Sequence, residues 1–112
     1  MPTLIEQIEQ LKLPKAKPLV IPALVLHAAG SLGLTLEITS PSVPEQYEVR
    51  RLGELSGYIR ARHGGMRVSY PDAGDEDIYD GPIDGFGGFT EHEREAKLLF
   101  AIALIAARIL QE

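Results

Sequence analysis

Between Leu34 and Thr39 apolar and polar residues alternate one for one, Leu34, Leu36 and Ile38 against Thr35, Glu37 and Thr39. That is the period of a half-buried strand. Pro41 and Pro44 end it. The next stretch, EQYEVRRLGELSGYIRAR, could place Leu52, Leu55 and Ile59 on one side of a helix, but Gly53 and Gly57 would each cost that helix about 1 kcal/mol. Strands are predicted instead. Taking Gly64 and Gly65 as a two-residue hairpin turn pairs His63 with Met66, Ala61 with Val68 and Ile59 with Tyr70. One face then carries Ile59, Ala61, His63, Met66, Val68 and Tyr70, and the other Arg60, Arg62, Arg67 and Ser69. A strand around residues 47–52 would extend the hairpin to a meander.

Three stretches have the helical pattern. At the C-terminal end Thr90 and Glu93 form a capping box, each able to satisfy an orphan N–H of a first turn, and residues 98–107 are apolar throughout. A helix over about 90–111 follows. A helix so apolar is normally central to a core or an interface. Residues 19–33 are almost wholly apolar, with Pro22 placed for a first turn and Gly33 for a helix end, which predicts a buried helix from about Pro22 to Leu32. Thr3 with Glu6, followed by Ile8 and Leu11, predicts a short amphipathic helix over residues 4–12, which Pro14 stops. The fold class expected is α+β, a small antiparallel meander over about 34–70 packed on helices from both ends of the chain. An all-α bundle is the alternative. Residues 71–89, rich in Asp, Gly and Pro, read as one long loop in which Phe86 and Phe89 anchor a flexible backbone to the core.

Composition narrows the class. At 112 residues with 45% hydrophobic and 24% charged residues, the chain is expected to fold as one domain, 1–112, with a single core. No cysteine is present, so disulfides and thiolate chemistry are excluded. The first residues lack a basic stretch leading into an apolar run, so no secretory leader is expected and the cytoplasm is the default location. Membrane insertion is not expected either, because Gly30, Ser31 and Gly33 and the alternation after them interrupt the longest apolar run. The net charge of -5 argues against a dedicated duplex-DNA binder. That charge is unevenly spread: five of the eleven Lys and Arg residues are arginines from Arg50 to Arg67, and nine of the sixteen acids lie from Asp72 to Glu95. The basic segment can neutralise part of the acidic one within the fold.

Candidate chemistry is sparse. Asp72, Asp75, Asp77, Asp80 and Asp84 are oxygen donors of the kind calcium and magnesium take. Asp80, Gly81 and Ile83 match three positions of an EF-hand loop, but that register puts Ile78 at the third position and Gly87 at the twelfth, where ligands are required. His92 and Glu93 begin an H-E-x-x-H pattern that fails at Ala96. Gly85, Gly87 and Gly88 make no phosphate-binding G-x-G-x-x-G, and Ser31, Ser56 and Ser69 lack the context of a nucleophile elbow. Arg60, Arg62 and Arg67 beside Tyr58 suit single-stranded nucleic acid, against the overall charge.

Two classes of function follow. The first is a small acidic interaction or regulatory protein of the inhibitor, immunity or adaptor type, meeting a basic partner protein through residues 72–95, with Asp72, Asp75, Asp77, Asp80, Asp84 and Phe86 as contacts. The second is a divalent-metal-dependent hydrolase using His92, Glu93 and the loop carboxylates. Whether the chain is an enzyme is left open, no catalytic residue is nominated, and no cofactor is expected. A homo-oligomer is expected as well, with residues 98–110 in the interface, because one sheet face and short helices offer little to cover a helix apolar on nearly all sides.

Overall fold

The computed structural model describes residues 19–41 and 44–112; the helix expected over residues 4–12 lies outside them. The order is α1 (Ala23–Ser31), β1 (Leu34–Pro41), β2 (Glu45–Arg51), β3 (Glu54–Arg62), β4 (Gly65–Tyr70), β5 (Glu76–Pro82) and α2 (Glu91–Leu110). All five strands pair antiparallel in chain order, β1-β2-β3-β4-β5. The class is α+β and the all-α alternative is excluded.

Alternation decides the faces. Leu34 and Leu36 on β1, Tyr47 and Val49 on β2, Ile59 and Ala61 on β3, and Met66, Val68 and Tyr70 on β4 are buried. Both helices lie on that side. The described residues place no element over the opposite face, which carries Glu37, Glu48, Tyr58, Arg60, Arg67, Asp77 and Asp80. Helix α2 presents Leu98, Ala101, Ile102 and Ile105 inward at helical spacing, and Ile105 sits directly over Gly57, where an added Cβ would stand 2.5 Å from its Cδ1. Gly57 is therefore a contact point for the helix, which is why a glycine stands within β3.

Helix α2 is less demanding than its composition implies. Its outward positions are Ala96, Ala103 and Ala107, small side chains that expose little area, with Phe100 and Leu110 flanking them. The larger residues Leu98, Ile102 and Ile105 are covered within the chain, so their burial calls for no second copy.

Two expectations are corrected. The hairpin turn is His63–Gly64, both at positive φ, so Ala61 pairs with Met66 and Ile59 with Val68. Relative to the expected register this is a slip of two residues, which keeps Ile59, Ala61, Met66, Val68 and Tyr70 inward because the side-chain period is also two. His63, expected on that face, moves into the turn, where it is exposed. The deciding contacts lie outside the hairpin: Ile83 N–H donates to the Gly64 carbonyl at 2.9 Å and Gly64 N–H to that of Phe86 at 3.3 Å. The other correction concerns residues 71–89, expected as one loop, which contain β5. Their Asp, Gly and Pro content disfavours a central strand but suits an edge, where carboxylates stay in water, proline can end the pairing, and a bulge at Ile78 absorbs irregularity.

Candidate interaction face

Strand β5 sets the nominated carboxylates along one margin of the sheet. Asp72 and Asp75 lie on the turn before it, Asp77 and Asp80 on the strand, and Asp84 just beyond it. Phe86 follows on the loop to α2, 76% exposed and stacked on His63 with ring centroids 5.6 Å apart. The carboxylates do not converge: among the described residues no group of three or more His, Asp or Glu side chains is placed to hold a metal ion. Asp77 and Asp80 instead bracket Arg67, each at 3.6 Å, and Asp77 also accepts from the Ser69 hydroxyl at 2.9 Å. Glu76 pairs with Arg108 of α2 at 2.8 Å, and Arg108 also lies over the Tyr70 ring. The basic segment thus neutralises part of the margin through Arg67. Asp72, Asp75 and Asp84 have no ion pair among the described residues.

The arginines form a second stripe. Cross-strand pairing sets Arg60 opposite Arg67 on the open face, with Gln46 beyond Arg60 and Asp80 beyond Arg67. Tyr58 lies beside Arg60 in a groove of about 360 Å³ that Arg67, Ser69, Asp75 and Asp77 help to line. Burial in that groove raises the Tyr58 hydroxyl pKa, the Arg60 charge opposes the shift, and Asp72 and Glu48 add to it. The open face is therefore striped in charge, acidic at the β5 margin and basic along Arg60 and Arg67.

What holds the end of the loop in place, at Phe89, is a buried network. Glu45, at an inward position of β2, is 4% exposed. Its Oε2 accepts from Arg94 Nε at 2.9 Å and from the Tyr47 hydroxyl, while Oε1 accepts from Arg94 Nη2 at 3.1 Å and Phe89 N–H at 3.2 Å. Arg94 also donates to the Phe89 carbonyl and to Glu91. Burial, then the hydrogen bond to Glu45 and its charge, push the Tyr47 hydroxyl far above its ordinary value. The guanidinium is raised too, chiefly by its hydrogen bond to Glu45. A charge at such depth is tolerable only when paired and fully hydrogen-bonded, and both conditions are met here.

Glu93 performs the second tie. The capping box forms as expected, Glu93 N–H donating to Thr90 Oγ1 and Thr90 N–H to Glu93 Oε2. The same carboxylate also accepts Asp84 N–H at 2.7 Å and Gly85 N–H at 2.8 Å, closing the loop onto the helix start. Glu93, nominated with His92 for metal or proton chemistry, is thus occupied by three backbone donors. His92 is exposed on the first turn of α2. Burial alone would raise the Glu93 pKa, but the backbone donors and the Thr90 hydroxyl outweigh it and hold the carboxyl below its ordinary 4.5. A depressed folded pKa adds stability that is present above the unfolded value and lost as pH falls through the folded one. Acid titration below about pH 4.5 should therefore release the 83–90 loop early, and Glu93→Gln, less stable at neutral pH, should flatten that acid limb. An unchanged limb in hydrogen exchange of Asp84 and Gly85 would refute this.

Phe86 and Phe89, expected to anchor the loop together, have separate roles: Phe89 is buried in the core and Phe86 is displayed. Glu45, Tyr47 and Arg94 were not nominated from sequence. A signal did exist, since Glu45 shares the inward parity of Tyr47 and Val49, and a carboxylate in that register needs a buried cation.

These features define a class, a five-stranded antiparallel sheet with helices on one face, a charge-striped open face and an acidic margin ending in an exposed phenylalanine. No protein family matches the chain, and no curated protein or solved structure matches it either. No described helix is long and apolar enough to cross a membrane.

Proposed function

We propose that the protein is a binding module of the small acidic regulatory type, docking a basic partner surface along its β5 margin with Asp72, Asp75, Asp77, Asp80 and Asp84 and using Phe86 as an apolar contact at one end. The observation that carries this reading is the alignment of these residues along a single sheet edge, with Phe86 projecting at its end. A charged row of this kind speeds and orients association with a surface of opposite sign, and an exposed aromatic ring supplies the apolar anchor that charge alone lacks. The network of Glu45, Arg94 and Glu93 fits the same purpose, because a loop tied at both its backbone and its helix loses little freedom on binding. The metal-dependent hydrolase has no comparable support, since Glu93 is engaged by Thr90, Asp84 and Gly85.

The test is capture of partners from a lysate on the immobilised chain, followed by measurement of affinity for the captured protein at two salt concentrations. Binding is expected to weaken with salt. Changing Asp72, Asp75, Asp77, Asp80 and Asp84 together to Asn should lower affinity at least about tenfold, and Phe86→Ala should lower it independently by about 1–2 kcal/mol. A partner held equally well by both variants would remove the proposal.

A further inference from the structure

Leu52 is set in an unfavourable way twice over. It occupies the first position of the two-residue turn between β2 and β3, at φ 52°, followed by Gly53 at φ 82°. Such turns favour Asn-Gly or Gly-Gly, because a branched apolar residue is strained in the left-handed region. Its side chain is also 92% exposed, the most exposed large apolar residue among those described. Arg50 Nη1 donates to the Gly53 carbonyl at 3.3 Å and so steadies the turn, but nothing among the described residues covers the Leu52 side chain. Costs of this kind persist where a displayed side chain has a use.

The surroundings indicate the use. Leu52 projects at the end of the molecule where α1 and α2 both finish, beside Leu32, 48% exposed, and Leu110, 86% exposed. Two grooves open there. The larger, about 510 Å³, runs between the Leu52 turn, Leu55, Tyr70 and Ile109, with Glu54 on its wall. The smaller, about 160 Å³, lies between Leu32, Ala106, Ile109 and Leu110. Arg51 borders both. One end of the chain therefore holds an apolar knob, one apolar socket and a larger, more polar groove, with a cation and an anion at the Leu52 turn.

We infer that this end is a self-association surface whose occupant is a second copy of the chain. In a two-fold contact each copy presents the same patch, so a surface that carries both halves of every contact is matched by itself. Leu52 of one copy enters the smaller, apolar groove of the other, and Arg51 of each faces Glu54 of the other. A basic or acidic foreign partner would match only one of those two charges. The patch is small beside a standard interface, so the association is weak and concentration-dependent. It involves only the last turn of α2, not the whole of residues 98–110, and leaves Asp77, Asp80, Asp84 and Phe86 free.

Sedimentation equilibrium on the full chain, from ~10 μM to ~1 mM, tests this. The apparent mass is expected to rise from 12.3 kDa toward twice that value. Leu52→Asn suits the turn and should keep or raise the melting temperature while holding the mass at the monomer value across the range. Arg51→Glu and Glu54→Arg should each weaken association alone, whereas an equimolar mixture of the two should restore it, because each variant then presents the charge the other needs. A wild-type mass constant at 12.3 kDa, or a Leu52→Asn chain that associates like wild type, overturns the inference. So does a mixture no better than the single variants.

Discussion

Arg94→Met is expected to lower the free energy of unfolding by about 3–5 kcal/mol, the usual consequence of leaving one charge of a buried pair without its partner. Glu45 would then face the Tyr47 hydroxyl and the Phe89 N–H alone, at 4% exposure, having lost two donors at 2.9 and 3.1 Å. For a chain of this size the loss corresponds to a melting temperature lower by about 15 °C or more. The pair's own worth is a separate quantity, since two paired ions buried together stabilise far less than the breaking of the pair suggests. Adding Glu45→Gln to Arg94→Met should therefore recover more than half of the loss: the amide oxygen still accepts from Tyr47 or Phe89, and no unpaired charge remains. Denaturant titration of the two single variants and the double variant measures this coupling. A loss below about 1 kcal/mol for Arg94→Met would mean that water reaches the pair in solution.

Gly85→Ala should cost about 3 kcal/mol, near the upper end for forcing atoms into a filled site. A Cβ there would overlap the Gly88 carbonyl oxygen and stand 3.0 Å from Thr90 N. Both are backbone atoms in the tied loop, so no side-chain rotation relieves the contact. The loop must open, and it then withdraws Gly85 N–H from Glu93. Because the two residues share that hydrogen bond, Gly85→Ala and Glu93→Gln together should cost clearly less than the sum of their separate effects. Full additivity would place the strain of Gly85 elsewhere than in this tie. The change also bears on the proposed binding role, since the loop carries Phe86: partner affinity should fall in Gly85→Ala even though every nominated contact residue is retained.

The two variants probe the same short segment from opposite sides, and the segment shows how local and distant information divide. Thr90 and Glu93 stand three residues apart, and a capping box depends on that spacing alone, so the start of α2 was legible from the sequence. That the Glu93 carboxylate would also receive Asp84 and Gly85 was not, because nothing in the local pattern says where the loop turns back. Glu45 and Arg94 are 49 positions apart, and only the fold brings them together.

By itself the sequence determined whatever follows from short periods: the alternation that makes β1 and the β3–β4 hairpin with their inward faces, the limits of α1 and α2, and the concentration of acid after Asp72. These depend on neighbours within a few residues, where backbone geometry converts spacing directly into a face. Tertiary structure alone decided the hairpin register, through the grip of Ile83 and Phe86 on Gly64, and the conversion of an Asp- and Gly-rich stretch into an edge strand. It also decided which phenylalanine is buried and which is displayed, and gathered Leu32, Leu52 and Leu110 at one end. In each case several local arrangements have similar free energies, and contacts between residues far apart in the chain select one.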